Sequence, residues 1–281
     1  MKILIVGAGT MGSGIAQLAA SCGYDVTLVD VSEEFLRHGM SAVEKTLSRL
    51  VEKGKITGDE KGKILGRIKT HLSLEDACRD ADFVIEAVIE DMALKRNIFK
   101  TMDACAGKDV ILATNTSSLS ITEIASATKR PDKVVGMHFF NPAPVMRLVE
   151  LIRGSETSDE TLRKTEDLSH ALGKETVVVN ESPGFVTTRM VAMIINEGAY
   201  MLQENLATPE DIDKAIQLGL NHPMGPLKLA DLIGIEVAVY ILDYMLRETG
   251  DPKYKACPLL RKMVRAGHVG MKAGKGFYEY R

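Results

Sequence analysis

The sequence predicts an α/β fold in two parts, a doubly wound parallel sheet followed by an all-helical domain, and three observations carry that expectation. An apolar run, Ile3 to Val6, is long enough for a buried strand, too short for a helix, and stops at Gly7. Met11, Ile15, Leu18, Ala19 and Cys22 then recur at helical spacing until Gly23, and Val26 to Val29 gives a second strand ending at Asp30. Alternation of strand and helix continues to about Pro183, beyond which the apolar pattern is helical almost to the end. The expected architecture is therefore a Rossmann-type sheet domain over 1–182 and a helical domain over 183–281.

The turn Gly7-Ala8-Gly9-Thr10-Met11-Gly12 has the chemistry of a dinucleotide site. Gly7 permits a sharp turn, Gly9 lets bare backbone approach a pyrophosphate, and Gly12 allows close packing of the helix. The helix start, with Thr10 and Met11 beside those glycines, turns unsatisfied N–H groups and the positive dipole end toward phosphate. Asp30 sits where a carboxylate accepts ribose hydroxyls and repels a 2′-phosphate, which favours NAD over NADP.

Further along, Ser32-Glu33-Glu34 starts a long amphipathic helix that ends at Gly54. Lys53, Lys55, Lys61, Lys63, Arg67 and Lys69 make the following stretch, read as a helical hairpin, strongly basic. Such a run is either a solvated face or a cradle for the phosphates of a large anionic ligand. A third strand, Ala81 to Val88, brings Glu90 and Lys95 to its carboxyl end, where they serve a helix start or the nicotinamide half of a site. The strand Val110 to Thr114 is followed by the polar cluster Asn115 to Ser118, with Ser118 or Ser120 available as a helix cap and Ser117 left for a ligand.

Val134 to His138 forms the next strand, and Pro142 and Pro144 keep the chain extended past its end. Arg147 to Ile152 reads as a strand by alternation, with Glu150 facing inward and His138, across a short turn, as its partner. A helix over 158–172 and a strand over 175–179 complete the first domain. In the second domain the helices are expected at 185–204, 209–219, 226–249 and 256–266, and the glycine-spaced tail from Gly270 reads as a loop. The methionine-rich apolar helices hold more hydrophobic surface than so small a unit readily hides, which points either to self-association or to the helices packing on one another.

Composition excludes several classes. Hydrophobic content of 45%, charged content of 26% and a net charge of −3 over 281 residues are those of an ordinary globular protein and suggest neither nucleic acid nor membrane as partner. Cys22, Cys78, Cys105 and Cys257 show no metal-like spacing and are read as reduced thiols. With the first strand starting almost at Met1, no leader segment is visible, and the expected location is the cytoplasm.

Ser117, His138 and Glu150 form the constellation with chemical content. A histidine held by a carboxylate has its tautomer fixed and its imidazolium stabilised, so its other nitrogen takes a hydroxyl proton near neutral pH. Beside a dinucleotide site, that base points to alcohol oxidation with hydride transfer. The stretches GAGTMGSGIAQ, NTSSLSITEIA, GMHFFNPAPVM, SPGFV, NHPMGPLKLAD and GKGFYEY together resemble the short-chain L-3-hydroxyacyl-CoA dehydrogenase family, nearest its bacterial 3-hydroxybutyryl-CoA dehydrogenases, over essentially the whole chain.

The resemblance implies a two-domain, homo-oligomeric enzyme that interconverts (3S)-3-hydroxybutanoyl-CoA and acetoacetyl-CoA with NAD. It implies His138 as acid/base, Glu150 as its orienter, and Ser117 as a contact to substrate oxygen and nicotinamide. Glu90, Lys95, Asn115, Asn141 and Lys272 would line the cofactor, Asn141 also the substrate, and Lys53 and Lys55 would approach the coenzyme A phosphates. One position departs: where the family usually has asparagine two residues after SPGFV, this chain has Thr188, which keeps one donor and lacks the amide's second polar group. Two other readings compete, a gulonate-type dehydrogenase of free hydroxy acids and a non-catalytic NAD-binding protein of the same fold.

Overall fold

The computed structural model describes residues 1–280, which divide into two compact units, Met1–Glu181 and a second beginning at Ser182. The first holds one eight-stranded sheet: β1 (Lys2–Val6), β2 (Asp25–Val29), β3 (Ile68–His71), β4 (Phe83–Glu86), β5 (Ile111–Thr114), β6 (Val134–Phe139), β7 (Leu148–Arg153) and β8 (Glu175–Asn180). The spatial order is β3-β2-β1-β4-β5-β6-β7-β8. All neighbours run parallel except β6 and β7, which are antiparallel.

Helices cover both faces, which is why the central strands read as continuous apolar runs. On one face Ile3, Ile5, Val26, Leu28, Val135 and Met137 bury against Ile15 and Leu18 of α1 (Thr10–Ser21), Val43 and Leu47 of α2 (Glu33–Glu52), and Leu162 of α7 (Asp159–Ala171). Between those elements run α3 (Gly58–Gly66), α4 (Leu74–Arg79), α5 (Met92–Cys105) and α6 (Ile121–Ala125). The alternate residues Leu4, Val84, Leu112, Val134 and Ile152 are buried as completely on the opposite face.

The basic stretch is half of what its pattern suggested. Thr57 and Glu60 form a reciprocal capping box that starts α3, so a helical turn does follow α2. Arg67 ends it, however, and Lys69 lies on β3, a strand paired to β2. Only Ile68 of its four residues is buried, so no alternation marked it as a strand.

The second unit is helical: α8 (Thr187–Gln203), α9 (Pro209–Gly219), α10 (Pro226–Ile233), α11 (Ile235–Thr249) and α12 (Pro258–Arg265). The single helix expected over 226–249 is two, because Gly234 adopts φ 103° and breaks the chain between them. Proline opens α9, α10 and α12 at positions whose N–H would lack an intrahelical partner anyway. Ala192, Ile195, Ala199, Ala238, Leu242 and Leu260 lie fully buried in its core. All four cysteines are thiols, and burial pushes Cys78 up to about 12, which keeps it inert.

Two buried aspartates latch the tail. Asp231 accepts the backbone N–H groups of Phe277 and Tyr278 at 2.9 Å and the Tyr280 hydroxyl at 3.0 Å. Asp213 accepts the Tyr278 hydroxyl and the N–H groups of Leu227 and Lys228, tying the tail to the start of α10. A Cβ on Gly276 would lie 1.9 Å from Asp231 Oδ1, so the glycine there makes room for the carboxylate. Asp231→Ala is expected to lower the stability of the helical unit by about 3 kcal/mol, since it strands buried N–H donors. Asp243→Ala, which removes a partly exposed partner of Arg261, should cost under about 1 kcal/mol in the same denaturant titration.

Candidate active site

The glycine turn at the end of β1 divides its labour between packing and openness. Gly7 has φ 105°, and a Cβ there would lie 2.7 Å from the Ala87 carbonyl oxygen. A Cβ on Gly12 would lie 1.8 Å from the Gly7 carbonyl oxygen, whereas one on Gly9 would meet nothing within 4 Å. Gly9 is the N-cap of α1 and supplies no side-chain acceptor, so the N–H groups at Thr10 and Met11 face an open space of the right polarity for phosphate. Asp30 closes the loop from β2, accepting from Ala8 N at 2.6 Å and from Val31 N at 2.7 Å. Its carboxylate retains acceptor capacity for ribose hydroxyls, so these residues fit a dinucleotide.

A polar cluster is built where β4 and β5 end. Glu86, fully buried, accepts from Lys95 Nζ, from Val88 N and from the Thr114 hydroxyl, each at 2.7 Å. Lys95 of α5, only 1% exposed, lies 3.5 Å from Glu90 as well. Glu90 Oε1 in turn gathers the loop after β5: the Thr116 hydroxyl at 2.5 Å, Ser117 N at 2.9 Å, Ser117 Oγ at 3.3 Å, and Ser118 N at 3.3 Å. Ser117 is thus held by Glu90 rather than left uncommitted, and the α6 cap is Ser120. Glu86 and Thr114 were not singled out from sequence, although a charged residue ending an otherwise apolar FVIE strand is a usable signal.

His138 and Glu150 meet across the antiparallel ladder. They are paired residues of β6 and β7, with His138 Nδ1 donating to Glu150 Oε2 at 2.7 Å, and the two side chains are 8% and 0% exposed. The partner is therefore set by strand register; the connection from Phe140 to Arg147 is no short turn. Phe140 leans on the imidazole at 4.5 Å between ring centroids. Asn115 Oδ1 accepts from Phe139 N at 2.8 Å, stitching the end of β5 to the end of β6 beside His138. Lys174, buried and with its pKa drawn down by that burial, donates to the carbonyls of Ala143 and Met146 at 2.7 Å and holds the loop that carries the exposed Asn141.

The remaining candidates lie apart from these three groups in sequence. Lys53 and Lys55 are exposed at the end of α2. Within the second unit, Thr188 sits half-buried in the first turn of α8, and Lys272 is ion-paired with Glu236.

Residues 2–182 match the family model for the 3-hydroxyacyl-CoA dehydrogenase NAD binding domain, and residues 184–280 match that for the 3-hydroxyacyl-CoA dehydrogenase C-terminal domain. The chain is 50% identical to a probable 3-hydroxybutyryl-CoA dehydrogenase of Bacillus subtilis, over 99% of this chain and 97% of that one. It is also 50% identical to 3-hydroxybutyryl-CoA dehydrogenase of Clostridioides difficile, over 100% and 99%. The crystal structure of (S)-3-hydroxybutyryl-CoA dehydrogenase PaaH1 from Ralstonia eutropha superposes with a TM-score of 0.96 at 48% identity, covering 100% of this chain and 99% of that one.

The two inner glycines should separate by experiment. Gly12→Ala is expected to lower stability by about 3 kcal/mol through its clash with backbone, whereas Gly9→Ala should leave the Tm within about 2 °C and weaken NADH roughly tenfold by filling the phosphate approach. Thermal melts with and without NADH read both effects. Glycine turn, sheet order and matched sequence agree, and the chain belongs to the 3-hydroxyacyl-CoA dehydrogenase family.

Proposed function

We propose that this chain is an NAD-dependent oxidoreductase that interconverts (3S)-3-hydroxybutanoyl-CoA and acetoacetyl-CoA. The observation that carries this reading is the buried His138–Glu150 pair at the carboxyl edge of a dinucleotide-binding sheet. Because Nδ1 donates to Glu150, Nε2 is the nitrogen that receives the proton of the 3-hydroxyl during oxidation and returns it to the ketone oxygen during reduction. Glu150 stabilises the imidazolium formed in between, as a buried carboxylate does best in a water-poor setting. Bound NAD supplies the hydride acceptor for the hydrogen on C3, and its reduced form the hydride donor. Ser117, positioned by Glu90, orients the reacting oxygen, while Asn115 and Asn141 help hold substrate and cofactor in register with His138.

Asp30 supports NAD over NADP through its placement beside the phosphate turn. Lys53 and Lys55, exposed and close in sequence, suit the phosphates of coenzyme A. By family likeness Thr188 is assigned to the substrate and Lys272 to the cofactor, Thr188 with one donor where an amide is usual. A homo-oligomer formed through the helical unit is supported by Met190, Leu218, Leu220 and Leu232, each more than half exposed. On this reading the enzyme works in the cytoplasm.

A spectrophotometric assay with NADH and acetoacetyl-CoA tests the proposal; turnover of free hydroxy acids with none of the thioester would overturn it. His138→Gln is expected to lower kcat by about a thousandfold, and Glu150→Gln by roughly a hundredfold, with Tm little changed for the first. Lys53→Glu with Lys55→Glu should raise KM for acetoacetyl-CoA about tenfold at low salt and leave KM for a pantetheine thioester unchanged. Thr188→Asn should alter kcat/KM or its dependence on acyl length; identical kinetics across all chain lengths would remove the role assigned to that position.

A further inference from the structure

Glu86 is a fully buried carboxylate for which the reaction above has no use. A buried ion pair gives little stability that a well-packed apolar pair would not. The arrangement around it is unequal: Lys95 Nζ lies 2.7 Å from Glu86 and 3.5 Å from Glu90. The ammonium therefore satisfies Glu86 first and reaches Glu90 only at Oε2, while Glu90 Oε1 collects the N–H and O–H donors of Thr116, Ser117 and Ser118. Two carboxylates and one ammonium also leave one negative charge in excess at the carboxyl edge of β4 and β5.

We infer that Glu86 is a positioning residue for Ser117, acting through Lys95 and Glu90, and that the excess negative charge it gives the cluster favours the oxidised dinucleotide over the reduced one. The inference rests on the functional reading and on the expected place of Glu90 at the nicotinamide half of the site, the ring that carries a positive charge in NAD+ and none in NADH. Without the Glu86 charge, Lys95 turns fully to Glu90 Oε2 and draws that carboxylate toward itself, and Ser117, held by Oε1, moves with it. The cluster then carries no net charge, and the distinction between the two redox forms weakens. Thr114 and Val88 hold Glu86 through neutral hydrogen bonds, so a neutral amide at position 86 keeps the shape and loses the charge.

The test compares dissociation constants for NAD+ and NADH, measured by calorimetry or fluorescence, in the wild type, Glu86→Gln, Thr114→Val and the double variant Glu86→Gln with Lys95→Met. In Glu86→Gln the affinity for NAD+ relative to NADH is expected to fall roughly three- to tenfold, with kcat down about tenfold or more and KM for acetoacetyl-CoA little changed. Thr114→Val disturbs the same network without altering its charge, so its ratio should stay at the wild-type value whatever happens to kcat. The double variant restores the net charge and should restore the ratio, whatever the loss of Lys95 does to the two absolute affinities, and it carries the test if Glu86→Gln fails to fold. A folded Glu86→Gln with an unmoved ratio, or a double variant with a shifted one, overturns the inference alone. A wild-type protein that binds neither dinucleotide overturns the functional reading and this inference with it.

Discussion

The site depends on one change of strand direction. Through β6 the sheet is parallel, and a parallel neighbour would bring its own carboxyl end, with a loop, to the edge where His138 lies. Because β7 runs the other way, Glu150 arrives from within a strand and faces His138 as its ladder partner, with Ile152 opposite Gly136 two positions back. Gly136 is needed for that closeness: a Cβ there would lie 2.7 Å from the Ile152 side chain and 2.9 Å from Ile121 of α6. The acid/base pair is thus held by two strands that each have a neighbour on both sides, rather than by loops.

The same ladder lines up the other polar groups. Glu86 is level with Thr114, Thr114 with Gly136, and His138 lies two residues beyond Gly136 on the same face of its strand. On the face that carries Val84, Leu112 and Val134 the side chains therefore change from apolar to polar as each strand nears its carboxyl end. The hydrophobic part of each strand secures the sheet; the final residue or two carries the chemistry. Below the polar step the buried neighbours are apolar, and so each buried polar group needs its partner within the same layer.

How much of this was legible follows from where the signal resides. The glycine turn, Asp30, the strand runs and the switch to helix near Pro183 are local patterns, and each could be read from a few adjacent residues. The pairing of His138 with Glu150 was readable because an inward-facing carboxylate demands a partner, although the route between them, strand register instead of a short turn, was not. β3 escaped because three of its four side chains are exposed, and the break at Gly234 because a glycine within an apolar helical pattern carries no mark of its backbone angle. Glu86, Thr114 and Lys174 escaped for another reason. Their roles are set by partners 9, 28 and 31 residues away, which no local period records.

Lys174 shows how such distant ties serve the site without touching it. The segment from Phe140 to Arg147 has two prolines and little regular hydrogen bonding of its own, yet it must bring Asn141 to the edge occupied by His138. A hydroxyl reaching the Ala143 and Met146 carbonyls could donate to only one of them, and an amide would bring an oxygen that needs a donor of its own. An ammonium offers three donors from one atom and satisfies both at 2.7 Å. The desolvation that lowers the pKa of Lys174 is the cost of placing that atom inside, and two charge-assisted bonds offset it. Position 174 thus fixes the loop from behind, as Glu86 and Lys95 fix the neighbouring one, so the reacting groups are set by buried charges that stay out of solvent and out of the reaction itself.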